Sequence, residues 1–255
     1  MEAARVLKLR GFQPVVYEQR NEIGGQLVPG CKPPDKEVIK WYQNALLKSI
    51  TSLNVEVITG RKAEPQQILA DHHPFAVIVA TGAKPLIPSK IPGVNNANVF
   101  NALDVLNNPV IIPDGSKVAI VGGGMTGCEL AELISGKNCT STIIEMQSEV
   151  AASENSITRS VMLKRLNENT KIELLTGYKV LAIRDEALEL EEIKTGEKKQ
   201  IRADYSVLSL GLSPLSEEIK QWKEVFEKTY VVGDAEVPSK VAFAIRTAFD
   251  TAYTV

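Results

Sequence analysis

Residues 117–145 read KVAIVGGGMTGCELAELISGKNCTSTIIE, and the order of signals in this stretch decides the fold. Lys117 to Val121 reads as a strand whose last four residues are apolar and mostly β-branched. Gly122-Gly123-Gly124-Met125-Thr126-Gly127 satisfies GxGxxG directly behind it. A helix follows from about Met125 to Ser135, then a second strand that closes on Glu145. Strand, glycine turn, helix and acid-tipped strand together make a dinucleotide-binding Rossmann unit. Gly122 permits the tight turn, Gly124 keeps the backbone open to a pyrophosphate, and Gly127 allows close helix-to-strand packing. The helix N-terminus offers unpaired N–H groups and the positive end of its dipole to the phosphates. Glu145 is placed to accept hydrogen bonds from the adenosine ribose, and its charge repels a 2′-phosphate. Met146 and Gln147 supply no arginine to offset it, so NADH is expected over NADPH. A glycine turn that merely joins strand to helix is the plain alternative for GxGxxG alone, and the surrounding elements weigh against it.

Working outward, Met1 to Arg10 has helical spacing and ends on Gly11, and Pro14 to Glu18 is a short buried strand with Glu18 at its carboxyl end. Val38, Trp41, Tyr42, Ala45 and Leu46 mark an amphipathic helix over 35–49, started by Pro34 and Asp35. Strands at 55–58 and 76–80 follow, the second closing on Thr81-Gly82, and 84–113 has the Pro, Asn and Gly content of a connection between domains. Beyond Glu145 the pattern predicts a helix over 156–166 and strands near 171–176, 178–183, 188–193 and 199–203, with a turn at Thr195-Gly196. A buried strand over 204–210 ends at Gly211, and a short strand over 230–232, Gly233-Asp234 and a helix over 238–253 complete the chain. The fold class expected is α/β, with two Rossmann-like, three-layer dinucleotide-binding domains. Residues 111–210 form the NAD(H)-binding domain, inserted into a second domain made of 1–110 and 211–255. The second domain carries Glu18 as the counterpart of Glu145, and its first strand and glycine loop are expected ahead of Met1.

A chain of 255 residues accommodates two such domains. A net charge of −2 with acids and bases interspersed leaves no basic stripe for nucleic acid and no polybasic run for a membrane surface. No run approaches the roughly 20 apolar residues that span a bilayer, and no signal peptide is evident, so a cytoplasmic setting is expected. Cys31, Cys128 and Cys139 form no CxxC pair. His72-His73 before Pro74 reads as a solvated turn rather than a metal site. Cys128 sits near a helix N-terminus, which lowers a thiol pKa, but close packing is the preferred role. Glu129 either faces the nicotinamide side or is a first-turn acid favoured by the dipole. Trp41 and Tyr42 read as core or interface residues. No Ser/His/Asp or Cys/His constellation occurs, so no catalytic side chain and no metal ligand is assigned.

Glu18, Gly24-Gly25-Gln26-Leu27, Ala80-Thr81-Gly82 with Ala83-Lys84-Pro85, Ile91-Pro92-Gly93, the 122–127 fingerprint extended to Glu129, and Val232-Gly233-Asp234 resemble the ordered motifs of the two-dinucleotide flavoprotein reductases. Within them the chain is most similar to the carboxyl-terminal part of the 2,4-dienoyl-CoA reductase, 2-enoate reductase and trimethylamine dehydrogenase family, over essentially its whole length. The resemblance implies NAD(H) on the fingerprint and FAD on the other domain. Glu18 would hold the FAD adenosine ribose, Gly24, Gly25 and Gln26 would lie along the dinucleotide, and Thr81 and Gly82 would approach it at a strand end. Asp234, after Gly233, would hold the ribitol or pyrophosphate region, and Gly211 is included among the cofactor-binding positions. Each has a plainer reading as a turn, a strand end or a helix entry capped by Asp. The departure from the pattern is the FAD glycine loop, which these residues do not contain. In the family an amino-terminal TIM barrel carries FMN and an iron–sulfur cluster, so a barrel domain or subunit is the implied partner and an enoate or enoyl compound the implied substrate. Two functions remain open: an NADH-binding module that passes hydride to FAD, or a non-catalytic dinucleotide-binding fragment or subunit that needs a partner to complete its flavin site.

Overall fold

The computed structural model describes all 255 residues. They divide into two compact units, one of residues 1–28, 38–84 and 212–255, the other of 29–37 and 85–211. In chain order the first unit opens with α1 (Glu2–Leu9), β1 (Val15–Glu18), α2 (Leu27–Gly30), α3 (Glu37–Ser52), β2 (Glu56–Thr59), α4 (Pro65–His72) and β3 (Val77–Val79). After β4 (Ala83–Pro85) the second unit contributes β5 (Val99–Asn101), α5 (Ala102–Asn107), β6 (Lys117–Val121), α6 (Met125–Ser135), β7 (Thr140–Glu145), α7 (Ser156–Glu168) and β8 (Ile172–Thr176). It continues with β9 (Tyr178–Ile183), β10 (Ala187–Glu192), β11 (Lys198–Arg202) and β12 (Tyr205–Leu208). The chain returns through β13 (Leu212–Pro214), which pairs with β4, and ends with α8 (Ser216–Val225), β14 (Thr229–Val231) and α9 (Val241–Thr254).

The second unit is built on a five-stranded parallel sheet in the order β5-β12-β6-β7-β8. Its central strand β6 is apolar and buried from Val118 to Val121 because both of its faces are covered there. Val118 and Ile120 pack with Cys128, Leu130, Ala131 and Ile134 of α6, whereas Ala119 and Val121 pack with Ile183, Leu188 and Leu190 of an antiparallel β11-β10-β9 sheet. Helices, parallel sheet and antiparallel sheet make three layers.

The stretch 84–113 is more than a connection. It supplies β5 to the edge of this sheet, with Val99 opposite Ser206, followed by α5. A three-residue edge strand has too little periodicity to announce itself, and pairing with β12 defines it. The boundary between units consequently falls near residue 84, where the sequence pattern places it near 110.

The first unit contains two parallel pairs, β1 with β2 and β3 with β14. Ala4, Ile23, Ile50 and Val55 form one core, and Ile68, Val79, Trp222 and Phe226 another. The second core depends on α4 and α8, which the periodicity did not single out. Helix α3 is present, but its buried stripe is Gln43, Leu46 and Ile50. Trp41 is 69% exposed and Tyr42 37%, so neither is a core residue of this unit. The apolar stripe is rotated because a polar residue, Gln43, occupies it: its Nε2 donates to the Ile23 carbonyl at 2.9 Å. His72 and His73 lie at the end of α4, not in an open turn; His73 is the left-handed cap, and His72 Nε2 is 2.6 Å from the Tyr17 hydroxyl. No helix is long and apolar enough to cross a membrane.

Candidate functional site

In the second unit the turn 122–127 leaves the carboxyl end of β6, and each glycine there answers a different constraint. Gly122 has φ +108°, and a Cβ on it would run into the Ser209 carbonyl behind β12. Gly127 packs α6 so tightly that a Cβ would collide with the Gly122 carbonyl oxygen. Gly124 begins α6 in extended geometry, exposed, with nothing within 4 Å of a Cβ position. No side chain caps α6 and no acid lies in its first turn, so no side chain satisfies the N–H groups behind Gly124. Thr126 is exposed beside them, while Met125 packs on the helix-side core.

Gly123 is the glycine for which the GxGxxG pattern has no role. A Cβ there would lie 2.7 Å from Val150 Cγ1 and 2.9 Å from Glu145 Cβ. Its N–H donates to Glu145 Oε2 at 2.7 Å, and its carbonyl accepts from Ala151 N at 2.7 Å. Glu145 Oε1 in turn accepts from Gln147 N at 2.9 Å. The acid at the strand end is therefore oriented by backbone donors on both oxygens. Gly211, just beyond β12, is exposed with φ +90° and accepts from Leu86 N at 3.0 Å.

Glu129 is the fifth residue of α6, which removes the first-turn dipole reading. Its carboxylate lies 2.5 Å from Lys36 Nζ, with the Glu129 side chain only 13% exposed. Lys36 belongs to the segment 29–37, which also meets this unit through Asp35 and Arg165 at 3.5 Å; Arg165 grips Glu132 at 2.7 and 3.0 Å. Helix α3 starts at Glu37 rather than at Asp35, whose φ of +61° keeps it outside the helix. Sequence reasoning passed over Lys36, because a lysine at a helix start carries no signal until the fold brings an acid to it. Cys128 is buried, and burial pushes its thiol up to about 12, with Glu129, Glu132 and Glu145 adding in the same direction. Desolvation outweighs the helix dipole, so Cys128 is a packing residue, not a nucleophile. Since the folded thiol holds its proton more tightly, its contribution to stability is complete below the ordinary thiol range and is lost as pH rises toward 12.

In the first unit Glu18 ends β1 as Glu145 ends β7. Its Oε1 accepts from Arg20 N at 2.8 Å, the same contact with the residue two positions on. Thr81 is exposed beyond β3, followed by Gly82 at φ +75°. Gly233, at φ +62°, follows β14 and donates to Thr247 Oγ1 at 3.0 Å. Asp234 Oδ1 accepts from Ser239 N at 3.0 Å, so it orders the turn before α9; the cap position of α9 is Lys240. All these residues lie at carboxyl ends of parallel strands, where open α/β sheets receive ligands. Gly24, at φ +146°, is packed against the Gln43 amide, Gly25 is exposed at φ +54°, and Gln26 is half-buried just before α2. This unit contains no GxGxxG turn.

The sequence pattern of pyridine nucleotide-disulphide oxidoreductases matches residues 17–242. The chain belongs to this family. The bilirubin reductase of Mediterraneibacter gnavus is 35% identical over 234 residues, covering 92% of this chain and 35% of that protein. The NADH oxidase of Thermoanaerobacter brockii is 34% identical over 260 residues, covering 100% of this chain and 39% of that protein. The chain thus spans between a third and two-fifths of the length of these curated relatives. Among solved structures, a 2-naphthoyl-CoA reductase in complex with 2-naphthoyl-CoA shares the fold over 100% of this chain and 38% of its own, with a TM-score of 0.89 at 24% identity. The fold of two dinucleotide-binding domains expected from the motifs is the one this family has.

Proposed function

We propose that this chain is the NADH-binding part of a flavoprotein oxidoreductase. The observation that carries the reading is the uncapped N-terminus of α6 behind an open Gly124, with Glu145 already held by Gly123 and Gln147 at the edge of the same turn. A dinucleotide fits this arrangement. The α6 N–H groups would take its pyrophosphate, Glu145 its adenosine ribose, and Glu129, steadied by Lys36, would face its nicotinamide side. When bound, the nicotinamide supplies a hydride and a flavin accepts it, so the protein's part is to bind, orient and exclude water. Glu18, Thr81, Gly82 and Asp234 fit the ribose and strand-end parts of an FAD site, with Gly24, Gly25 and Gln26 beside them. The pyrophosphate turn of that site has no counterpart among these residues.

By the family resemblance, electrons would continue through an iron–sulfur cluster to FMN in a barrel domain and reduce an enoate or enoyl-type double bond in a cytoplasmic enzyme. A second reading is dinucleotide binding without turnover until a partner completes the flavin site. An absorbance spectrum of the purified protein during NADH addition separates them. A flavin spectrum bleached by NADH supports turnover; colourless protein that binds NADH and oxidises none leaves the binding module. Glu145→Ala should narrow the NADH/NADPH difference in either case, and unchanged discrimination would remove Glu145 from the ribose site.

A further inference from the structure

The loop that follows Glu145 contains no arginine, but the fold brings one to it. Arg159, the fourth residue of α7, donates from Nε to the Val150 carbonyl at 3.1 Å and from its terminal amine to Glu149 Oε2 at 2.5 Å. Val150 is the residue that closes on Gly123 beside the Glu145 side chain. The guanidinium is therefore anchored on the backbone of the residue whose side chain lies, with that of Glu145, against Gly123. A cation so near a helix N-terminus opposes the helix dipole, and the first turn of α7 has no acid to balance it. Glu149 is its counter-charge.

We propose that Glu149 is a second determinant of cofactor choice, a positioning residue that keeps Arg159 engaged on the 149–150 backbone and withholds it from a 2′-phosphate. The proposal rests on the reading of Glu145 as the ribose acid and deepens it. Glu145 repels the phosphate directly, and Glu149 prevents Arg159 from answering that charge. With Glu145 alone removed, Arg159 remains bound to Glu149. With Glu149 alone removed, Glu145 still repels. Tolerance of a 2′-phosphate should need both changes, a coupling that a double-mutant cycle measures.

The test is equilibrium titration of the purified protein with ADP-ribose and with 2′-phospho-ADP-ribose, neither of which can transfer hydride. In the Glu145→Ala background, adding Glu149→Gln should tighten 2′-phospho-ADP-ribose binding about tenfold, the worth of one charge-assisted hydrogen bond. Arg159→Met in the same background should abolish the gain, and ADP-ribose binding should change by less than about twofold, since a half-exposed ion pair contributes little to stability. No gain from Glu149→Gln, or a gain that persists without Arg159, overturns the proposal while leaving the nucleotide site intact. Failure of the unaltered protein to bind ADP-ribose overturns the site and this proposal with it.

Discussion

A methyl group on Gly127 would meet the Gly122 carbonyl, which belongs to the turn and cannot move without opening it. Gly127→Ala is therefore expected to lower stability by about 2 kcal/mol or more, read as a lower urea midpoint at unchanged slope. A midpoint within error of the parent would show that α6 can slide away from β6. At this scale the sequence was informative about Gly122, Gly124 and Gly127, because the turn, the open approach and the close packing are demands that any GxGxxG imposes. It gave no packing role to Gly123, a member of the fingerprint, and was silent on Lys36, Gln43 and Arg159. Their partners, Glu145 with Val150, Glu129, the Ile23 carbonyl, and Glu149, lie between 10 and 93 residues away or are set by a local turn, and no spacing rule reaches them.

Helix α6 starts without a side-chain cap. It lacks the Ser, Thr, Asp or Asn cap that stabilises most helix starts, and Gly124 stands at that position with φ −66°, a value open to any residue. Gly124→Asp should supply the cap, raising or preserving thermal stability by a few tenths of a kcal/mol, and place a carboxylate where the pyrophosphate would lie. NADH binding, followed by nucleotide fluorescence, should then weaken by about tenfold or more. Binding at parental strength would move the phosphates away from α6. Elements with strong periodicity or unbroken apolar runs, such as β6, β7 and α6, were legible. Helix α3 was legible as a helix, but its buried stripe was not, since a hydrogen-bonded glutamine replaces an apolar residue there. Strand β5 and helix α4 have too few residues, or too mixed a surface, to stand out before they are packed.

Across the whole molecule the two units should respond differently to a nucleotide held only by the 122–127 turn. ADP-ribose at about a hundred times its dissociation constant should stabilise the unit that binds it by about 2.7 kcal/mol. Hydrogen exchange should slow across β6, α6 and β7, while amides of β3, β14 and α8 keep their rates. Equal protection in both units would show that the nucleotide is held by more than the second one.

What the sequence determined by itself is the α/β class, the insertion of one Rossmann-like unit within another, and the glycine turn at 122–127 with an acid at 145. These follow from local order: a strand, three spaced glycines, a helix and an acid are contiguous, and backbone sterics permit few arrangements of them. The tertiary structure alone decided that Glu145 is held from both sides, that Lys36 meets Glu129, that 85–110 joins the second unit, and that Arg159 returns to the loop after β7. Charges and hydrogen bonds between distant residues depend on distance in space. The opening stretch, 117–145, places its acid and its turn, but the charges that flank them arrive from segments whose own sequence gives no sign of the meeting.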